Sequence, residues 1–312
     1  MVYSESGGKY SVKSNKNNYD NLITVRKKQR INWLGYLFVV PVLFQLGLFT
    51  IYPFIKTIVL SFTITNKLGK PTKFVGFMMW QKILTNSDFW KVVGVTFKIA
   101  GITLVGTFAT ALVFALISTR QVKGGRLYQT LFALPMAIAT APAAAVFLFV
   151  FRQSNGLMNS ILGTDIAWLN NIQTAIWIVC LVTSWMHTGS SFLFLLVGFR
   201  NVPDELIESS LLDGANWWQR IIHILIPMAS PQIFFVLFLN INSSFKSFAQ
   251  IRLLTGGGPL KSTTTLVYYI YKNAILEGRF ETACIQALFL FLCIFAITRI
   301  QFALENKVVH YQ

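Results

Sequence analysis

Carboxylates are scarce in this chain, and one segment between two long apolar runs holds an unusual share of them. The 312 residues include eleven Asp and Glu. Four of the eleven lie close together, at Asp204, Glu205, Glu208 and Asp213. Clustered carboxylates can dock a basic partner by charge complementarity. They also occur on the solvated face of an amphipathic helix. The spacing alone leaves both interpretations open.

Local signals predict the structure of this acidic segment. Pro203 suits the first turn of a helix, where Asp204 and Glu205 would meet the positive helix end. Gly214 is typical of a helix end or a sharp turn. A second short helix is predicted from Asn216 to Pro227. The pattern therefore predicts a helix, a glycine turn and a second helix, lying at a membrane surface with Glu208 on the exposed side.

Two polar stripes lie within otherwise apolar runs. One stripe follows helical spacing on a single face, and its members are Asn240, Ser243, Ser244 and Ser247. The other has nearly the same spacing, and its members are Thr183, His187, Ser190 and Ser191. Hydroxyl and amide groups suit hydrogen bonds to a polar solute, so both stripes are candidates for a substrate path. The alternative is hydrogen bonding between helices, in which small polar residues are common.

Two lysines lie inside or near the ends of apolar runs. Lys98 and Lys246 could extend their ammonium groups to the membrane interface. If they face a path instead, they would favour an anionic substrate, such as a uronate oligosaccharide or a sugar phosphate. The sequence leaves the two orientations open.

Motifs for catalysis by this chain are missing from the sequence. No GxxxxGK[ST] phosphate-binding pattern occurs, so hydrolysis of ATP by this chain is not expected. No nucleophile–base motif or metal-ligand spacing is found, and Cys180, Cys284 and Cys293 lie separately in apolar runs. The sequence therefore predicts no enzyme, no bound cofactor and no metal site.

Composition places the chain in a membrane. Hydrophobic residues make up 54% and charged residues 12%, whereas soluble domains have about 25% charged residues. A membrane helix needs roughly 20 apolar residues, and six runs qualify. The predicted spans are 33–57, 94–118, 127–151, 173–198, 229–250 and 281–303. We therefore expect an all-α, polytopic membrane protein with six transmembrane helices.

The spans divide the chain into a central domain and two tails. Residues 1–32 form a basic tail expected to be disordered, residues 33–303 the membrane domain, and 304–312 a short C-terminal tail. Basic residues at 26–30 beside the first span favour cytoplasmic termini, and hence a cytoplasmic acidic loop at 200–230. The net charge of +16 suits anionic membrane lipid rather than nucleic acid, since no basic helix concentrates it.

The acidic segment resembles the EAA loop of permeases from ABC importers. That loop has Glu-Ala-Ala, three residues, Gly, nine residues and Ile-x-Leu-Pro. This chain has Glu208-Ser209-Ser210, then Gly214, then Ile224-Leu225-Ile226-Pro227, with every spacing kept. Asp213-Gly214-Ala215 matches a common extension of the motif. Ser-Ser replaces Ala-Ala and Ile226 replaces Leu, and neither change should remove the helix–turn–helix.

Two further stretches resemble the sugar-importer branch of this family. They are YLFVVPVLFQLGLFTIYPFI at 36–55 and LLTGGGPLKSTTTLVYYIY at 253–271. The Thr-Gly-Gly-Gly-Pro element resembles the maltose and glycerol-phosphate type of permease. The resemblance implies a type I ABC importer permease fold, in a heterodimer with a second permease subunit.

The resemblance also implies a function and a set of partners. Two cytoplasmic ABC ATPases would use ATP and Mg²⁺ and move the loop, and an extracellular or periplasmic solute-binding protein would deliver a saccharide. The complex would lie in a bacterial cytoplasmic membrane and work by alternating access. The saccharide is expected to be an oligosaccharide, neutral or anionic. The alternative function is secondary transport of a small polar solute, driven by an ion gradient.

Overall fold

The computed structural model describes residues 33–119 and 124–308. The predicted basic tail at 1–32 lies outside them. The described chain is helical apart from one short hairpin. The elements in chain order are α1 (Trp33–Leu46), a π-helical turn (Gly47–Ile51), α2 (Tyr52–Ser61), β1 (Thr63–Thr65), β2 (Pro71–Phe74), α3 (Met78–Leu84), α4 (Ser87–Ser118), α5 (Gly125–Ala137), α6 (Thr140–Val150), α7 (Leu157–Leu162), α8 (Ile172–Arg200), α9 (Asp204–Leu212), α10 (Trp217–Arg220), a second π-helical turn (Ile221–Leu225), α11 (Ile226–Met228), α12 (Ser230–Phe245), α13 (Ala249–Leu254), α14 (Leu266–Tyr271), a third π-helical turn (Lys272–Leu276) and α15 (Phe280–Val308).

The chain divides into two units, and the second begins at Phe54. The described part of the first unit contains α1, the π-helical turn Gly47–Ile51 and the beginning of α2. In that turn the N–H of Tyr52 donates to the carbonyl of Gly47, one residue further back than in an α-helix. Pro53 follows directly. A proline within a helix lacks an N–H and clashes with the carbonyl four residues earlier, and here that carbonyl, of Phe49, lies within the wider turn.

A second π-helical turn also lies one residue before a proline. At Ile221–Leu225 the N–H of Ile226 donates to the carbonyl of Ile221, and Pro227 follows. The two segments share the order of π turn, one residue and proline. In both segments the carbonyl four residues before the proline lies within the wider turn.

Six membrane spans agree with the structure if two bent helix pairs, Gly125–Ala137 with Thr140–Val150 and Trp217–Met228 with Ser230–Phe245, each count as one. Within the described residues, four continuous helices are long and apolar enough to cross a membrane, and they are Phe38–Ser61, Ser87–Ser118, Ile172–Arg200 and Phe280–Glu305. The predicted starts and ends of these four helices shift by a few residues, most at α4, which begins at Ser87 rather than 94. Helix α15 continues to Val308, beyond the predicted boundary at 303.

The third predicted span, 127–151, is not one straight helix. It comprises α5 and α6, which are bent by 101°. Between them Ile138 has an extended backbone, with φ −94° and ψ 126°. Pro135 lies near the end of α5, and Pro142 lies in the first turn of α6, where its missing N–H has no intrahelical partner to lose. The break therefore falls between two prolines.

The fifth predicted span, 229–250, is shorter than expected. Helix α12 ends at Phe245, and α13 is a separate helix that begins at Ala249. The Ser244 hydroxyl donates to the carbonyl of Asn240 at 2.6 Å, and the Ser247 hydroxyl donates to that of Ser243 at 3.3 Å. Such back-bonding to the preceding turn competes with regular helical hydrogen bonds. The polar stripe thus coincides with the end of the helix.

Helices α4 and α8 form the centre of the second unit. They approach closely where small residues meet. Gly106 lies against Ser184, whose hydroxyl donates to the Thr103 carbonyl at 3.2 Å. The hydroxyls of Thr110 and Thr188 are 2.9 Å apart. Close approach through small and hydroxylated residues is typical of helix pairs in membranes.

A two-stranded hairpin is an addition to the all-α architecture expected from the sequence. Strands β1 and β2 pair antiparallel, with Thr63 opposite Phe74. Within the loop the Asn66 side chain accepts hydrogen bonds from the backbone N–H groups of Leu68 and Lys70. Asn is favoured in turns because its side chain can bind nearby backbone in this way.

Candidate coupling segment and polar cavity

Helix α9 of the acidic segment, here defined as residues 204–227, ends in a glycine turn, as the sequence predicts. Gly214 has φ +77°. Its N–H donates to the Leu211 carbonyl, and the N–H of Ala215 donates to the Ser210 carbonyl at 2.9 Å. This pair of bonds is the Schellman motif, in which glycine adopts the left-handed conformation without steric cost. The turn therefore ends α9 in a defined backbone conformation.

The second helix of the acidic segment begins with a reciprocal cap. The Gln219 N–H donates to Asn216 Oδ1 at 2.9 Å, and the Asn216 N–H donates to Gln219 Oε1 at 2.8 Å. This capping box satisfies two N–H groups that the first helical turn leaves without partners. Helical structure then runs from Trp217 to Met228 and meets α12 at an angle of 72°.

The acidic segment is anchored on the helix bundle by apolar contacts. Ile221 and Leu225 are buried in one hydrophobic cluster with residues of α4, α8 and α12, such as Phe192 and Val236. Ile207 of α9 packs against the same cluster. Because interiors are close-packed, a displacement of the segment is transmitted to these helices rather than absorbed.

The outer face of α9 is open to solvent. Glu205, Glu208 and Leu212 fall at i, i+3 and i+7 on this face, and all three are exposed. The Leu212 side chain is 90% exposed. No salt bridge involves Glu208 within the described residues. The face thus presents two carboxylates beside an apolar side chain.

The other residues predicted for the acidic segment occupy supporting positions. Ser209 and Ser210 each donate a hydroxyl hydrogen bond to a carbonyl three residues earlier, and Ser210 is buried. Asp213 is the C-cap of α9. Ala215, Ile224 and Pro227 are partly buried along the turn and the second helix.

Four of the predicted path residues line one cavity of about 390 Å³. They are His187 of α8 together with Ser243, Lys246 and Ser247. We call this the polar cavity. Lys246 caps the end of α12, and it also lines a second, adjoining cavity of about 420 Å³. Lys246 is exposed at the break between α12 and α13.

The other residues of the two stripes do not line the polar cavity. Asn240, Ser244 and Thr183 are buried among the helices. The Thr183 and Ser244 hydroxyls donate to carbonyls of their own helices. Asn240 Oδ1 accepts from Ser191, whereas Asn240 Nδ2 is buried and makes no hydrogen bond within the described residues. Ser190 is partly buried and donates to the carbonyl of His187. Lys98 is exposed on α4 and does not line the cavity.

Two amides in the polar cavity were missed from the sequence. Asn242 and Gln250 line it with Lys246, and the three fall at i, i+4 and i+8. The predicted stripe starts at Asn240 and does not include these three residues. A search for rows that contain a charged residue would have found it.

Metal ligands do not cluster in the described part of the chain. Within residues 33–119 and 124–308, no group of three or more His, Cys, Asp or Glu is placed to hold a metal ion. Cys180, Cys284 and Cys293 are free thiols. The chemistry of the site is therefore that of amide, hydroxyl, imidazole and ammonium groups.

Long apolar helices, an exposed surface loop and a polar cavity define a membrane permease. Residues 111–310 match the family of binding-protein-dependent transport system inner membrane components, and the chain belongs to that family. A permease subunit of this kind is a transport component and not an enzyme. This membership sets aside the alternative of an ion-driven secondary transporter.

Curated relatives cover almost the whole chain. The sn-glycerol-3-phosphate transport system permease protein UgpA of Pectobacterium atrosepticum is 32% identical over 91% of this chain and 97% of its own length. The protein of the same name from Yersinia pestis is 31% identical over 90% of this chain and 97% of its own length.

A solved structure has the same fold. A chain of a bacterial ABC transporter involved in the import of the acidic polysaccharide alginate matches with a TM-score of 0.80 at 21% identity. The match covers 89% of this chain and 96% of that one. The fold expected from the sequence, that of a type I ABC importer permease, is confirmed.

Proposed function

We propose that this chain is the permease through which an ATP-driven importer carries an anionic saccharide or sugar phosphate, and that the acidic segment couples it to the ATPases. Two cytoplasmic ATPase subunits bind ATP and Mg²⁺, and this chain binds neither. A second permease subunit completes the membrane path. An extracytoplasmic binding protein delivers the substrate.

The observation that carries the coupling role is the exposed face of α9. Glu208 is open to solvent beside the 90% exposed Leu212. A carboxylate next to an unpaired apolar side chain suits docking in a cleft with a basic group and an apolar wall. Glu205 lies at the helix start, where its charge also stabilises the helix end.

Motion passes from this face into the membrane helices through rigid parts. The Schellman turn at Gly214 and the capping box at Asn216 hold the angle between the two helices of the segment. Ile221 and Leu225 are buried against α4, α8 and α12. A shift of α9 on ATP binding therefore moves the ends of the membrane helices, and alternating access follows.

The anionic substrate class rests on Lys246. Its side chain borders the polar cavity, which also contains His187, two serines and two amides. Hydroxyls and amides fit a polyhydroxylated solute, and the ammonium group adds affinity for a carboxylate or phosphate. The relatives support this class, because sn-glycerol 3-phosphate and the acidic polysaccharide alginate both carry negative charge. If the substrate is an oligosaccharide, the proposal is that it is an anionic one, such as a uronate oligosaccharide.

The proposal includes a location. The complex lies in the bacterial inner membrane, with both termini and the acidic segment in the cytoplasm. The polar cavity then lies along the path between the two sides.

A reconstituted system tests the proposal. The chain is placed in liposomes with its partner permease, ATPases and binding protein, and ATP hydrolysis is measured with maltose-type, raffinose-type and uronate oligosaccharides and with glycerol phosphates. We expect stimulation by one anionic class. Glu208→Ala should abolish it, whereas Asp165→Ala removes the same charge from an exposed loop and should leave it intact.

Either of two results would count against the proposal. If only neutral sugars stimulate ATP hydrolysis, the proposal of an anionic substrate is wrong. If Glu208→Ala and Asp165→Ala show equal stimulated ATP hydrolysis, the proposed coupling role of the acidic segment is wrong.

A further inference from the structure

A second large cavity lies apart from the polar cavity and is lined by different residues. Its volume is about 1250 Å³. It is bounded by the C-terminal ends of α4 and α8, the N-terminal end of α5, and the acidic segment. Helices α4 and α8 are membrane spans, so the cavity lies at the boundary of the membrane. We call it the arginine cavity.

Positive charge dominates the arginine cavity. Among the residues that the structure describes, the charged lining residues are Arg126, Arg200, Arg220 and Asp204. Three guanidinium groups and one carboxylate leave an excess of two positive charges. None of the four forms a salt bridge within the described residues. Bringing like charges together without partners is unfavourable, and a bound anion would offset it.

Polar atoms in the wall of the arginine cavity have no partners. Arg220 Nε and Ser118 Oγ are buried and make no hydrogen bond within the described residues. Ser118 is 8% exposed. Nearly all buried polar groups in proteins are hydrogen-bonded, and each exception needs an explanation. A ligand with several acceptor oxygens would supply partners to this wall.

The N-terminal end of α5 forms part of the wall of the arginine cavity. Helix α5 begins at Gly125 and has Gly124 as its N-cap, with φ +83° and no side-chain hydrogen bond to the cap. The N–H groups at a helix N-terminus favour anions, phosphate above all. This wall faces the same cavity as the three arginines.

We infer that the arginine cavity binds a phosphate-bearing anion, and that the acidic segment is held to the membrane helices through it. Arginine forks bind phosphate oxygens in pairs, with a specificity that lysine lacks. Arg126 and Arg200 belong to the membrane helices, whereas Arg220 belongs to the second helix of the acidic segment. One phosphate group bound between them joins the two parts. The headgroup of an anionic phospholipid and free phosphate share this chemistry.

Lipid binding to the purified chain tests the inference without any transport assay. The full-length chain, with the subunits that copurify, is prepared in a nonionic detergent. Phosphatidylglycerol, phosphatidylcholine or inorganic phosphate is added. Native mass spectrometry counts bound lipid, and thermal unfolding reports stabilisation by either ligand. The variant is Arg126→Gln/Arg200→Gln/Arg220→Gln. The control is Lys67→Gln/Lys70→Gln/Lys73→Gln, which removes the same charge from the exposed hairpin.

We expect phosphatidylglycerol to bind the wild type and the lysine control, and phosphatidylcholine to bind neither. Loss of the charge-assisted hydrogen bonds should weaken binding to the arginine variant by about tenfold or more. Stabilisation by inorganic phosphate alone, absent in the arginine variant, would assign the site to the free anion. If the triple variant does not fold, Arg126→Gln replaces it, because Arg126 is exposed.

Equal retention of phosphatidylglycerol and equal response to phosphate in the wild type and the arginine variant would overturn the inference. An acidic protein partner would then be the alternative ligand of the three arginines. Since the readout is binding, its failure is distinct from any failure of substrate transport.

Discussion

Ser191 donates a hydrogen bond to Asn240 across the buried contact of α8 with α12, with 2.9 Å between Oγ and Oδ1. Each residue is 4% exposed. The sequence offers two interpretations of these stripes, a substrate path and bonding between helices. For this pair the geometry is that of bonding between helices. The bond fixes α8 against α12 next to the polar cavity, to which both helices contribute.

Ser191→Ala should therefore reduce stability and leave substrate specificity unchanged. It leaves Asn240 Oδ1 buried without this donor, at a cost of about 1 kcal/mol for a hydrogen bond between helices in a membrane. Thermal unfolding in detergent measures the effect. Ser190→Ala is the matched control, because the Ser190 hydroxyl bonds only to the carbonyl of His187 in its own helix. Equal melting temperatures for the two variants would show that the contact contributes no stability.

Gly214 should tolerate Asn and reject Val. A Cβ at this position meets no heavy atom within 4 Å, so the obstacle is the backbone conformation at φ +77°. Asn adopts the left-handed region readily, whereas a β-branched residue does so at a cost of about 1–2 kcal/mol or more. We expect Gly214→Asn to retain stimulated ATP hydrolysis in the reconstituted system and Gly214→Val to lose most of it. Loss of activity in both variants to the same extent would mean that the left-handed turn does not explain the glycine.

Gly257 and Gly256 form a matched pair in the loop before α14. Both have positive φ, of +81° and +57°. A Cβ on Gly257 would lie 2.5 Å from Thr264 Oγ1 and 2.7 Å from Tyr268, whereas on Gly256 the nearest atom is 4.0 Å away. Both alanine variants lose the conformational freedom of glycine, but only Gly257→Ala also forces its neighbours apart. We expect Gly257→Ala to lower the melting temperature further. If both variants lower the melting temperature equally, the close contact at Gly257 does not contribute to the loss of stability.

Much of the fold could be predicted from the sequence, because apolar run length and turn chemistry are local properties. The acidic segment shows this most clearly. Pro203, Gly214 and Asn216 lie at the helix start, the left-handed turn and the second N-cap. Each signal acts within a few residues, so no tertiary information was needed.

The breaks in the helices could not be predicted in the same way. The 101° bend between α5 and α6 and the end of α12 at Phe245 both lie inside apolar runs. Run length does not distinguish a straight helix from a bent one. Helical periodicity placed Asn240 and Ser247 on one face, yet Ser247 lines the polar cavity and Asn240 bonds to Ser191. Which neighbour a polar face meets depends on the packing of other helices.

Lys246 and Lys98 provide the final test, since the sequence treats them alike and the structure separates them. Lys246 borders the polar cavity, whereas Lys98 is exposed on α4 outside it. Lys246→Gln should raise the half-saturating concentration of an anionic substrate in the transport assay by about tenfold, the value of one charge-assisted hydrogen bond. Lys246→Arg keeps the charge and should recover much of the loss.

Neutral substrates separate charge from shape in this experiment. Lys246→Gln should change the half-saturating concentration of a neutral analogue little, because an amide can still bond to hydroxyls. Lys98→Gln should leave both substrates unaffected. If Lys98→Gln impairs anionic transport as much as Lys246→Gln does, the effect belongs to the overall positive field of the chain. Loss confined to Lys246→Gln and to the anionic substrate is the pattern that a direct contact in the polar cavity requires.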